Sequence, residues 1–293
     1  MAAGALLLAA TGAHAQSTDG YHSHQVVPLV AHTGSFTSMF NFTTPNGFPV
    51  TVTPRFYPGL NGLAGNGTPI GAPMQCPDFV IGQQALRSFA SLRLLCPALP
   101  ETNTYGFMTF EAAPSSDGMN ADIPVFAVFS RMTTPQGQGT TVEGYPASTF
   151  TSATTVVNGL RKLASTATTP IFQTNCFIGN MPSMDPDAAP NPPSSIVDYT
   201  ISNAGTNYNG TVTVPPGTIA RFVDMFAGLG LPPGDYDNLA IVFRNRNTVG
   251  AENRQGLLTF CTVQDNTSFG SDFRIGKQAS GTMGIASNDG MAA

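Results

Sequence analysis

Apolar and polar residues alternate with a period of two in short runs along this chain. In one run Val50, Val52 and Pro54 fall on one side, with Thr51, Thr53 and Arg55 on the other. In another, Leu239, Ile241 and Phe243 alternate with Ala240 and Val242. Strands with one buried and one wet face have this period, and antiparallel sheets are built from them. The runs are rich in Val, Thr and Phe and are punctuated by Gly, Pro and Asn, as in all-β domains. The pattern changes character at 211–230, TVTVPPGTIARFVDMFAGLG. There a strand meets Pro215-Pro216-Gly217, and apolar residues then recur at Ile219, Phe222 and Phe226. That spacing predicts a short helix opening after Thr218, with Thr218 as its cap. The stretch lacks the Lys and second Gly of a phosphate-binding loop, so it reads as architecture.

The chain repeats itself at an offset of about 133 residues. FVIGQQALRSFASL (79–92) lies over VPPGTIARFVDMF, with Leu86 on Ile219, Phe89 on Phe222 and Leu92 on Met225. TYGFMTFE (104–111) lies over DNLAIVFR (237–244), and PVFAVFSRM (124–132) over GLLTFCTVQ, each followed by a glycine turn (Gly137, Gly270). Near the start the offset drifts by about three residues, which sets Phe36 on Phe172. VVPLVAHT (26–33) and RKLASTAT (161–168) are expected to open the two copies. Six or seven strands in about 120 residues predict a β-sandwich. The fold expected is therefore all-β: two tandem immunoglobulin-like β-sandwiches, each with a short helical turn between strands. A jelly roll over the whole chain is the rival architecture. The expected boundaries are a signal peptide at 1–15, a mobile mature N-terminus at 16–25 and a first module at 26–148. A Ser/Thr-rich linker at 149–160, a second module at 161–277 and a disordered tail at 278–293 follow.

The repeat also sorts the four cysteines. It sets Cys176 opposite Phe40 and Cys261 opposite Val128, so both thiols are expected in the core on neighbouring strands and bonded to each other. Cys76 and Cys96 flank the turn-helix unit of the first copy and form the second expected pair. Each bridge would stabilise its module by roughly 3–4 kcal/mol.

Composition narrows the setting. Only 10% of residues are Asp, Glu, Lys or Arg, against roughly 25% in an average soluble domain. The formal charge of −5 offers no electrostatic footprint for nucleic acid or anionic lipid. At the N-terminus, apolar residues 5–10 precede Ala13-His14-Ala15, a small-x-small cleavage site that leaves Gln16 first. With four cysteines and no C-x-x-C pair, this predicts an exported protein: secreted, periplasmic or held at the cell surface. No later stretch has the apolar length of a membrane-spanning helix.

VVPLVAHT, together with the VPPGT unit at 214–218 and Asp224 before a short helix, resembles uncharacterised bacterial secreted proteins built from tandem Ig-like β-sandwich modules. The first copy departs from the motif, with Ile81-Gly82-Gln83-Gln84 in its place and Ser91 where the second has Asp224. The resemblance implies a non-catalytic surface or extracellular role and carries over no catalytic residues.

Candidate chemistry is sparse. His14, His22, His24 and His32 are the histidines, and His14 leaves with the signal. No G-x-S-x-G or H-E-x-x-H motif accompanies them, so no catalytic residue is nominated. The His22-Ser23-His24 pair, with His32, is a candidate zinc or copper ligand set. Asp235, Asp237 and Asn238 follow Pro232-Pro233-Gly234 and, like Asp185 and Asp187, offer calcium-type oxygen ligands in a loop. Turn chemistry accounts for the same residues. Arg244, Arg246 and Arg254 form a basic hairpin loop, a candidate contact for an acidic partner. The expected function is an exported non-catalytic protein acting in interaction, adhesion or scaffolding, with an extracellular protein or envelope component as partner and no cofactor beyond possible calcium. The alternatives are a secreted enzyme acting on polysaccharide or peptide, and a calcium- or copper-binding extracellular module.

Overall fold

The computed structural model describes residues 20–114, 123–135, 137–150, 154–163, 171–181, 193–246, 257–266 and 271–278. The expected signal peptide, Asp185, Asp187, Arg254 and residues 279–293 lie outside the described residues.

The first half runs β1 (His24–His32), β2 (Thr37–Thr43), β3 (Val50–Pro58), β4 (Met74–Gln75), β5 (Phe79–Ile81) and β6 (Leu86–Phe89). A single helical turn, α1 (Leu92–Leu95), leads to β7 (Thr104–Pro114), β8 (Ala127–Thr133), β9 (Gly139–Glu143) and β10 (Tyr145–Pro146). The second half runs β11 (Thr154–Lys162), β12 (Phe172–Asn180), β13 (Ser195–Asn203), β14 (Thr206–Val214) and β15 (Thr218–Phe222). After α2 (Met225–Gly228) come β16 (Tyr236–Asn245), β17 (Leu257–Asp265), β18 (Ser271–Ile275) and β19 (Lys277–Gln278).

The protein is all-β with packed sheets, and the two halves use one pairing scheme. In the first, β7 lies between β3 and β1, and β2 between β6 and β8, with β9 beyond β8. In the second, β16 lies between β13 and β11, and β12 between β15 and β17, with β18 beyond β17. A short last strand returns to pair with the opening one in each half, β10 on β1 and β19 on β11. Both opening strands bulge at the same place, between Val27 and Val30 and between Val157 and Leu160. In the second half the two sheets are separate. In the first they join at one pair, His32 with Thr37, where the sheet turns a corner. β11 and β12 lie in opposite sheets, whereas the first two strands of a constant-type immunoglobulin domain share one.

Several expectations change. Residues 154–160, expected as linker, belong to β11 (Thr154–Lys162), the counterpart of β1, so the opening strand of the second half starts before residue 161. Its Thr and Val residues are strand formers, and Gly159 at φ +73° supplies the bulge. Of the expected mobile N-terminus, residues 16–19 lie outside the described residues, and the chain is paired from His22 onward. His22 pairs with Phe126 through both backbone groups, and the buried Gln25 side chain donates to the Phe126 carbonyl. Residues 218–222 form β15 and not a helix, because Cys176 to Asn180 of β12 offer that segment a full ladder. The helix starts later, behind Asp224, whose carboxylate accepts from the Ala227 amide at 3.3 Å. Thr218 instead donates to the Pro215 carbonyl. In the first half Ser91 caps α1 by accepting from the Leu94 amide. Ser91 and Asp224 therefore keep one role with different side chains.

Disulfides join Cys76 to Cys96 and Cys176 to Cys261. Cys176 and Cys261 are direct cross-strand neighbours. The residue of the first half that faces Phe40 in the same way is Ser130, not Val128.

Three apolar clusters hold the layers together. One lies within the first half, where Phe42 meets Phe79, Phe110, Phe89 and Phe126 at ring distances of 4.7–6.3 Å. A second lies between the two sheets of the second half around Phe222, Phe226 and Phe243. The third joins the halves: Val26, Leu29 and Phe107 of β1 and β7 pack against Phe177, Ile219, Leu258 and Phe260. The β3–β7–β1 face of the first half thus covers the outer face of the β15–β12–β17–β18 sheet.

A segment after β3 ties the junction further. The Leu60 amide donates to Ile219, Gly65 donates to Arg221, and Leu63 accepts from Val223. Residues 59–65 thereby cover the edge of β15, and Leu60 enters the core of the second half. Gly65 has φ +73°, and a Cβ there would strike the Phe222 ring.

Candidate functional site

The outer face of the β15–β12–β17–β18 sheet follows from strand alternation. On β12 it carries Phe177, Asn175 and Gln173; on β17, Phe260, Thr262 and Gln264, each directly opposite its β12 counterpart. Phe177 and Phe260 are stacked at 4.6 Å under the first half. Towards the other end the rows turn polar, and the two halves part. A groove of about 450 Å³ opens at that boundary. Its second wall comes from β1 and the following turn (Leu29, Ala31, Thr33, Ser35, Phe36) and from Tyr105.

Carboxamides dominate the polar wall. Asn266 donates to Gln173 at 3.5 Å, Gln173 to Asn175 at 2.7 Å, and Asn175 to Gln264 at 3.4 Å. Asn175 also accepts the Asp224 amide at 3.1 Å, which fixes the row to the helix cap. Lys162 closes the other side of that cap, with its Nζ 2.8 Å from Asp224 Oδ2. Arg221 of β15 stands at the inner end of the groove, its guanidinium 4.7 Å from the centre of the Tyr105 ring. The Tyr105 hydroxyl donates to the Leu60 carbonyl, and burial pushes its pKa up to about 12 against the opposing pull of Arg221.

The residues singled out in the sequence lie elsewhere. His22 and His24 sit at one end of β1, and His24 Nε2 is 3.5 Å from Glu111 Oε1. His32 is at the far end of the same strand, about 25 Å away at 3.3 Å per residue. The three cannot share one ion. Asp237 lies in a second cleft of about 520 Å³ on the second half, where it pairs with Arg161 at 3.6 Å. Asp272 there pairs with Arg274. Asp237 also accepts the Asn238 amide, with Asn238 at φ 54°, and Asp235 lies in the turn before β16. Among the described residues no group of three His, Cys, Asp or Glu side chains is placed to hold a metal.

Arg246 grips Asp198 through two bonds of 2.6 Å. That fork holds the Asp198 carboxyl below its ordinary pKa, helped by Thr211. The Arg246 charge is therefore already matched within the molecule by Asp198. Arg244 remains exposed beside it.

The groove leaves little trace in the sequence. The available signal was the i, i+2 placement of Gln173 and Asn175, repeated in Gln264 and Asn266. Compared with protein-family models, curated proteins and solved structures, the chain shows no match.

Proposed function

We propose that the chain is an exported, non-catalytic binding protein of two tandem β-sandwich modules, acting in interaction or adhesion at the cell surface or in the extracellular space. The observation that carries this reading is the groove at the junction, whose walls come from two halves joined by a shared apolar cluster. Ligand sites form preferentially in clefts where two units of a structure meet. Two disulfides and no free cysteine suit an oxidising compartment, as the N-terminal apolar run does. The partner expected is an envelope or extracellular component.

The test compares residues 16–293 with a Ser35→Trp variant that fills the rim of the groove at an exposed position. Both are immobilised and presented with solubilised bacterial envelope and extracellular fractions. The parent should retain a defined component at least tenfold better than the variant, and release it with its mass unchanged. Equal retention removes the groove from the account; release of cleaved material makes the protein an enzyme.

A further inference from the structure

We infer that the junction groove binds a carboxylate-bearing saccharide, with Arg221 holding the acid group and the carboxamide row reading the hydroxyls. This rests on the groove being the binding site. Arg221 is the starting point. Its Nε is buried without a hydrogen-bond partner. Among the described residues no carboxylate lies within ion-pair distance of it, whereas Arg93, Arg161, Arg246 and Arg274 each have one. The Tyr105 ring attracts the cation but supplies no oxygen acceptor to a guanidinium N–H. Nor is Tyr105 a hidden counter-ion, since its hydroxyl donates to Leu60 and stays protonated. A partly buried guanidinium whose Nε lacks an acceptor matches a planar carboxylate.

The neighbouring wall selects what carries that carboxylate. Gln173, Asn175 and Gln264 each combine an amide donor with a carbonyl acceptor, as a sugar hydroxyl combines both functions in one atom. Same-face residues on a strand stand about 6.6 Å apart, on the scale of one sugar ring. Phe36 at the rim adds a half-buried apolar ring. The groove therefore has one fixed positive point, a row of neutral two-way hydrogen-bonding groups and an apolar edge. An uncharged glycan would leave Arg221 unmatched, and a hydrophobic acid would leave the amides unmatched.

Calorimetric titration decides it, using oligogalacturonate, a neutral galactose oligomer of equal length and a short peptide with a free C-terminal carboxylate. The parent should bind oligogalacturonate at least tenfold more tightly than either other probe, and less tightly as salt rises. Arg221→Gln should lose at least tenfold for oligogalacturonate, and Arg221→Lys should recover part of that loss with the same melting temperature. Ser35→Trp should weaken binding as well. Equal affinity for the neutral oligomer, indifference to Arg221→Gln, preference for the peptide, or no binding of any probe overturns the ligand class. If envelope retention remains sensitive to Ser35→Trp in those cases, the groove stands and only its ligand is misassigned.

Discussion

Ser130 shows what a single atom costs in this core. It occupies in the first half the place that Cys261 holds in the second, and its hydroxyl is buried with no hydrogen-bond partner. Ser130→Ala should therefore stabilise the protein by about 1 kcal/mol, the low end of the penalty for an unsatisfied buried group. Urea unfolding would show a higher midpoint at unchanged slope; a lower midpoint would mean that an ordered water serves the hydroxyl. Asp198 is the opposite case, an exposed pair with good geometry. Its carboxyl is held below the ordinary value of 3.8 by the Arg246 fork. A depressed acid contributes stability that is fully present above the unfolded value and is lost as pH falls through the folded one. The parent should melt above Arg246→Gln at pH 6, and the two should converge as pH drops below 3.8. The difference stays small because water screens the pair. A gap that widens towards low pH would refute the assignment.

At the scale of the element, Asp224 concentrates three demands. It has φ 52°, caps α2 and pairs with Lys162. Asn tolerates the left-handed backbone and can cap, but carries no charge. Asp224→Asn should cost well under the loss on Asp224→Ala, which removes the cap (about 1 kcal/mol) as well as the ion pair. Thermal unfolding of both variants checks the order, and equal losses would place the whole effect in the ion pair. The same element marks what local pattern could and could not reveal. The repeat, the strand-rich class, the cysteine pairing and the equivalence of Ser91 with Asp224 were all legible, because each leaves a periodic or positional trace. β15 reads as helix in the sequence because Ile219, Phe222 and Phe226 recur at three and four. The strand is buried on both faces, Ile219 in the junction cluster and Phe222 in the core of the second half, so no period-two alternation marks it. The ladder with β12, from Cys176 to Asn180, decides for the strand. β11 was hidden because its Thr-rich start resembles a linker, and only its pairing with β16 distinguishes the two.

At the scale of the molecule, the site was invisible for a related reason. The groove exists only where the halves diverge, so residues as distant as Phe36 and Arg221 meet there through packing that no local window reports. The cluster that makes this junction is apolar on both sides, with Val26, Leu29 and Phe107 facing Phe177, Leu258 and Phe260. The halves should consequently unfold as one unit. Calorimetry should show a single transition, and residues 154–278 expressed alone should aggregate, becoming soluble when residues 20–150 are supplied in the same cell. Two resolved transitions would show that the shared apolar cluster does not couple the halves.

The segment at 59–65 gives that coupling a further meaning. An unpaired strand edge invites association with other chains, yet the β15 edge is occupied by a piece of the same polypeptide. Because the donor is tethered, its local concentration at the edge is on the order of millimolar whatever the protein concentration. A competing strand from a neighbouring molecule meets that threshold only when the protein is itself crowded to comparable levels. The loop is thus placed as a resident competitor for this edge, and shortening it should lower the concentration at which the chains begin to join.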